Sequence, residues 1–272
     1  MKRALVISSQ VAASSVGANN SAYCLRRLGV ETVILPTTLM GRHPGWGTPG
    51  GGVTPIAILS DIWSGIQAQK LFFDAVLTGY MGSVENAQFA SEVIQSVKAG
   101  NPEATIVVDP VMGDQGKLYI PEDVAQTIMH ELIPLADIIT PNVWEFSHMV
   151  QKKFTDIKSI QKALLDYGGC ALVTSVKHHG LIGALSYHSS GLTYFGHEQF
   201  DRVPNGGGDA LAGLLLAHTL NDIVDEEAAR RAVSSVFEIM RHANENGDTE
   251  FPLTAQQHCI EKANLLSMSR IL

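Results

Sequence analysis

The chain has 272 residues, 45% of them hydrophobic and 17% charged, with a formal net charge of −8. This composition suits a soluble globular protein with a sizeable core, and the acidic balance argues against a basic nucleic-acid-binding face. Three cysteines, Cys24, Cys170 and Cys259, have an odd count and no metal-type spacing, so reduced thiols in a cytoplasmic protein are expected.

At the N-terminus, Met1-Lys2-Arg3 is followed only by Ala4-Leu5-Val6-Ile7 before Ser8, too short for a signal sequence, and no later apolar run approaches a membrane span. Compact aliphatic runs predict strands at Ala4–Ser8, Thr32–Leu35, Ala75–Thr78, Thr105–Val108, Asp137–Thr140 and Ala171–Thr174. They lack polar alternation, as strands covered on both faces do. Amphipathic stretches between them predict helices at Asn19–Leu28, stopped by Gly29, from Thr54-Pro55 to Leu71, and at Val84–Lys98 and Pro121–Leu132. This alternation implies an α/β fold, a mostly parallel central sheet in a three-layer α/β/α sandwich. The glycine- and proline-rich segment at about 40–52 can be neither helix nor inner strand, and suits either a disordered insertion or a flap that touches a ligand.

Leu181–Tyr187 and Leu192–Phe195 predict an antiparallel hairpin around Ser189-Ser190-Gly191 at a sheet edge. From Asp209 onward the pattern is helical, at Asp209–Leu220, Glu226–Glu245 and Pro252–Ser267. No repeat or linker interrupts the chain, so residues 1–272 are expected to form a single domain.

The most informative stretch is Gly206-Gly207-Gly208-Asp209, where a glycine run feeds a small-residue apolar helix. Unpaired amides and the helix dipole there make an anion site. A carboxylate would repel an anion, so Asp209 needs another reason to be present. It is either an ordinary N-cap or a base that removes a proton from a hydroxyl attacking a bound phosphoryl group. No Gly-x-x-x-x-Gly-Lys loop or Gly-x-Gly-x-x-Gly fingerprint competes for the phosphate role. Asp109 follows a strand and precedes a proline, and Asn142 and Glu145 have capping-box spacing after another strand. Asp109 and Glu145 could also hold magnesium through water. Thr174, Ser175 and Lys177 end a further strand, where Lys177 is either a solvated charge or a phosphate neutraliser. His178, His179, His188 and His197 lack metal-ligand spacing and read as surface residues.

Together these motifs resemble the pyridoxal kinases, the vitamin B6 kinase branch of the ribokinase-like superfamily. The resemblance runs from Ile7-Ser8-Ser9-Gln10-Val11 and Val16-Gly17, through Thr78-Gly79-Tyr80-Met81-Gly82 and Asp109-Pro110-Val111-Met112-Gly113-Asp114, to Thr140-Pro141-Asn142-Val143-Trp144-Glu145, Val176-Lys177-His178 and Gly206-Gly207-Gly208-Asp209. It implies ATP-dependent phosphorylation of the 5′-hydroxyl of pyridoxal, pyridoxine or pyridoxamine. Asp209 would be the base, with the Gly206, Gly207 and Gly208 amides as anion hole. Asp109, Thr140, Asn142, Glu145, Thr174, Ser175 and Lys177 would serve Mg²⁺–ATP, with Asp109 and Glu145 on the metal side. Ser9, Val16, His43 and Tyr80, with Asp209, would line the substrate pocket. A homodimer is implied, and a K⁺ requirement stays open. Gln10 departs from the family's usual histidine, Pro44 from a threonine and Met40 from an aromatic residue, which bears on vitamer preference. Two alternatives remain, a related kinase of another small alcohol such as hydroxymethylpyrimidine or a sugar, and a catalytically weak B6-binding protein.

Overall fold

The computed structural model describes residues 1–189 and 191–271. In chain order the elements are β1 (Arg3–Val11), α1 (Ala18–Arg27), β2 (Glu31–Met40), β3 (Gly51–Val53), α2 (Ile56–Ala68), β4 (Ala75–Thr78), α3 (Val84–Gly100) and β5 (Thr105–Val108). Then come β6 (Gly113–Asp114), β7 (Lys117–Leu118), α4 (Glu122–Thr127), β8 (Ile138–Ile139), α5 (Val143–Met149), α6 (Ile157–Tyr167), β9 (Cys170–His178), β10 (Leu181–His188) and β11 (Gly191–His197). The chain closes with α7 (Gly207–Leu220), α8 (Asp225–Asn246), α9 (Cys259–Lys262) and β12 (Ser269–Arg270).

The main sheet runs β12-β11-β10-β9-β8-β5-β4-β1-β2-β3. Its centre, from β2 to β9, is parallel, while β3 and the β10–β12 edge are antiparallel. The aliphatic runs of β1, β4 and β5 are buried because helices cover both faces. Strand order reverses at β1, which lies between β2 and β4, and crevices outside the carboxyl ends of strands at such a point are where open α/β sheets bind ligands. Helix α7 is apolar around its circumference and is buried between α1 and α8.

The predicted architecture holds, with local corrections. β1 and β2 run further than their aliphatic cores, pairing as far as Val11 and Met40 through a bulge that leaves Thr37 unpaired. Pro36, which has no N–H to give the ladder, sits at that irregularity. At the entrance to α2, Pro55 rather than Thr54 takes the capping position. The predicted helix Pro252–Ser267 reduces to α9, preceded by turns and followed by extended chain. Of its apolar residues Leu253, Cys259 and Ile260 are buried, and only Cys259 and Ile260 lie in the helix. The hairpin strands β10 and β11 are present, while Ser190 of the predicted turn lies outside the described residues. In the segment at 40–52, β2 turns back into the short edge strand β3. Among the described residues no helix is long and apolar enough to cross a membrane.

Candidate active site

The parallel ladder sets up the site. Hydrogen bonding continues one residue past the strand ends, from Gly79 N to the Ile7 carbonyl at 2.9 Å, Asp109 N to Thr78 at 3.1 Å and Thr140 N to Val108 at 3.1 Å. Gly79, Asp109 and Thr140 are thereby held at the carboxyl ends of adjacent strands. A proline follows both Asp109 and Thr140 and cannot extend the ladder.

At Gly206 the backbone turns with φ 102°, and a Cβ there would lie 2.0 Å from the Ser15 carbonyl oxygen. Gly207 and Gly208 open α7, and first-turn amides have no partner inside a helix. A Cβ on Gly207 would meet the Met240 methyl at 2.2 Å, whereas one on Gly208 would meet nothing in this chain. Asp209 is the third residue of α7, so it is not the N-cap. Its Oδ2 accepts from Gly17 N at 2.8 Å, and a Cβ on Gly79 would lie 4.0 Å from its Oδ1. The carboxylate therefore stands between the turns that follow β1 and β4. Burial pushes its pKa up to about 6, against the pull of hydrogen bonds from Gly17 and from its own amide.

Sequence reasoning missed the frame behind this carboxylate. Asn20 Nδ2 donates to the carbonyls of Ser15, at 2.6 Å, and Gly206, at 3.0 Å. Ser21 Oγ donates to the Asp209 carbonyl at 3.0 Å, and a Cβ on Gly213 would sit 2.7 Å from the Ser21 carbonyl oxygen. The amino ends of α1 and α7 are thus locked together. The signal available was a pair of hydrogen-bonding residues, Asn20-Ser21, in the first turns of a predicted helix.

Asp109 is buried at the end of β5, and its pKa is well above the usual carboxylate range. Burial is the main cause, followed by the charges of Glu145 and Asp209, with the Thr140 hydroxyl pulling the other way. Glu145 is tied into the backbone. Its Oε1 accepts from Met112 N at 2.7 Å and Gly113 N at 3.2 Å, and its Oε2 from Asn142 N at 2.8 Å. Burial raises its pKa and these three amides lower it. Asn142 caps Trp144 and Glu145, both at 2.9 Å, and its Nδ2 donates to the Gly113 carbonyl at 2.8 Å. The capping box is therefore real, and it also sews the turn after β8 to the turn after β5. With three of roughly four acceptor positions used, Glu145 can serve a metal only sparingly. Asp109, Glu145 and Asp209 make no ion pair among the described residues, so the oxygen-rich cluster fits a hard divalent cation that keeps its waters.

Thr174 and Ser175 form a bulge. Val173 pairs with Leu185 and Val176 with Gly183, leaving two residues opposite one, with Ser175 at φ 60°. Thr174 N donates to the Pro141 carbonyl at 2.9 Å, placing the half-buried Thr174 beside Asn142, while Ser175 and Lys177 are exposed. On the other flank Ser9 is buried, with its Oγ and carbonyl against Gly17, and Val16 is buried in the same turn. Tyr80 is half-buried, its carbonyl accepting from Thr37 Oγ1 at 2.5 Å, and burial raises its phenol pKa. In the segment at 40–52, His43 N donates to Ser14 Oγ at 3.3 Å and its Nδ1 accepts from Gly45 N at 3.1 Å. Burial lowers its pKa, opposed by the charge of Glu250. Gln10 is occupied by Asn19, and Pro44 opens a single 3₁₀ turn. Of the histidines expected at the surface, His188 is buried, since it closes β10 facing inward, and His197 packs on Phe237.

A parallel sheet with an acid-flanked glycine turn at its switch point and an acidic cluster at its strand ends defines a small-molecule kinase of the ribokinase-like type. Comparison narrows this. The chain belongs to the pyridoxal kinase family, and the family model described as phosphomethylpyrimidine kinase matches residues 59–254. It is 30% identical to the pyridoxal kinase of Rubrobacter xylanophilus over 94% of this chain and 92% of that one. Against the pyridoxal kinase of Arabidopsis thaliana it is 32% identical over 88% and 81% of the respective chains. The crystal structure of the Entamoeba histolytica pyridoxal kinase superimposes with a TM-score of 0.92 and 25% identity, each chain covered completely.

Proposed function

We propose that this protein is an ATP-dependent pyridoxal kinase that transfers the γ-phosphoryl group of ATP to the 5′-hydroxyl of pyridoxal, with pyridoxine and pyridoxamine as related acceptors. The observation that carries the reading is the Asp209 carboxylate, with its pKa raised to about 6, between Gly17 and Gly79 and in the same first turn of α7 as the Gly207 and Gly208 amides. Asp209 takes the hydroxyl proton as the oxygen attacks, and those amides together with Gly206 hold the developing phosphoryl charge. Asp109, Thr140, Asn142, Glu145, Thr174, Ser175 and Lys177 face the nucleotide. Asp109 and Glu145 would hold Mg²⁺ through water, and the ion when bound supplies charge neutralisation on the phosphates. Ser9, Val16, Tyr80 and His43 line the vitamin side, where the flap excludes water.

We read residues 1–272 as one kinase domain working in the cytoplasm as a homodimer. The exposed Leu39, Val53 and Ile58 near the β2–β3 edge support an interface there. Asp209→Asn tests the assignment in a coupled ADP-release assay with pyridoxal and Mg²⁺–ATP. Loss of turnover by at least about a hundredfold is expected, with nucleotide binding retained, and turnover within a few-fold of wild type would remove Asp209 from this role. The matched family's description favours one second reading, a kinase of a hydroxymethylpyrimidine. A higher kcat/KM for that alcohol than for pyridoxal would select it.

A further inference from the structure

Among the described residues one group of side chains outside the kinase site has the composition of a metal centre. His242 lies on α8, and His258 and Cys259 lie at the start of α9, with their ligand atoms all within 4.8 Å of one another. The sequence hides this group, because His242 stands 16 positions before His258 and 17 before Cys259, and the cysteines show no metal-type spacing. The chain between them folds back, with Gly247 in the left-handed conformation at the end of α8.

The geometry points to a binding site for a thiophilic divalent cation of the Zn²⁺ class, ligated by His242, His258 and Cys259 with solvent in the fourth position. The Cys259 Sγ to His258 Nε2 distance is 3.5 Å. A tetrahedral ion with bonds of about 2.3 Å to sulfur and 2.0–2.1 Å to nitrogen requires an S···N edge of about 3.6 Å. Two of the three ligand atoms therefore already stand at the required spacing, and the third lies within 4.8 Å of both, so it needs to close by no more than about 1.5 Å. Glu245 Oε2 lies 3.6 Å from His242 Nδ1, where it can orient the ring. Cys259 is buried and His258 exposed, so the thiolate is shielded while the fourth position opens to water. On binding, the Cys259 thiol gives its proton to solvent and its sulfur donates an electron pair to the ion. The nitrogen–sulfur donor set separates this centre from the all-oxygen cluster of the kinase site.

Such an ion would clasp the end of α8 to α9 and close the loop that carries Phe251. That loop backs the glycine turn, since a Cβ on Gly207 would meet Met240 at 2.2 Å and Phe251 at 3.8 Å.

The test is titration of the metal-stripped full-length protein with Co²⁺ as a spectroscopic probe, followed by displacement with Zn²⁺. One equivalent is expected to bind and produce a thiolate-to-cobalt charge-transfer band that Zn²⁺ abolishes. The band should vanish in Cys259→Ser and persist in Asp109→Asn, and His242→Ala should weaken binding by about tenfold or more. Absence of the band in wild type, its survival in Cys259→Ser, or unchanged affinity in His242→Ala would each overturn the assignment. Cys259 is in the core, so if its serine variant fails to fold, the wild-type spectrum and His242→Ala decide the matter.

Discussion

Asp209 is ionised at a cost to the fold. Its pKa in the folded chain is about 6, against 3.8 for a free side chain, so the native state binds this proton more tightly than the unfolded state. Stability is therefore higher when the group is protonated, and it falls as pH rises from about 4 through about 6. Removing the charge should reverse that cost. Asp209→Asn is expected to melt above wild type at about pH 8, by on the order of 1–3 kcal/mol, with the gap shrinking towards about pH 4. A variant less stable at both pH values would contradict the account. Catalysis has the opposite pH dependence, because only the ionised form accepts a proton. The plot of kcat/KM against pH should lose activity below about pH 6, with a limb that follows Asp209. Gly208 permits a second test at this scale, because a Cβ there touches no other part of the chain. Gly208→Ala should leave stability unchanged or raise it by up to about 1 kcal/mol, as alanine does within a helix. If the transferred phosphoryl group packs on that backbone, kcat nevertheless drops by about tenfold or more. Unaltered kcat would mean that the phosphoryl group does not rest on this backbone.

At the scale of elements, the turn after β8 and the turn after β5 form one unit. Asn142 satisfies two amides of α5 and one carbonyl of the neighbouring turn, while Glu145 collects three amides from both. Asn142→Ala removes the cap and leaves the Gly113 carbonyl without this donor, which should cost about 1–2 kcal/mol in denaturant titration and raise the KM for ATP more than that for pyridoxal. Equal effects on both substrates would separate this unit from the nucleotide side. Features of this kind were legible because their chemistry is local. Asn142 and Glu145 are three residues apart, Gly29 has the positive φ of a helix stop at 81°, and β4 and β5 begin and end where their aliphatic runs do. Contacts between distant segments were not legible. Gly17 and Asp209 are 192 positions apart, and nothing in either motif states that one amide meets the other carboxylate. The stretch from Pro252 to Ser267 misleads for a related reason, since Leu253, Cys259 and Ile260 are apolar through burial in a cluster with residues of α7 and α8, whether or not they stand in a helix.

At the scale of the whole molecule, the sheet turns a scattered set of residues into one site. Asp109, Glu145 and Asp209 come from separate segments, yet Asp109 feels the charge of both others because β4, β5 and β8 end at one level beside β1. The order of strands also bears on how the chain unfolds. β1, at the start of the sequence, pairs with β2 on one side and β4 on the other, while β12 closes the far edge on β11. Helix α7, late in the sequence, packs on α1 through the close approach of Gly213 to Ser21. Among the described residues early and late segments interleave in the sheet and in the helix layer, which supports the reading of one domain. A single cooperative thermal transition is therefore expected, monitored by far-UV circular dichroism and tryptophan fluorescence together. Mg²⁺ with a non-hydrolysable ATP analogue at about a hundred times its Kd should move the entire transition upward, by an amount equivalent to about 2.7 kcal/mol. Two resolved transitions, with only one responding to the nucleotide, would show that the acidic cluster and the glycine turn belong to separable units.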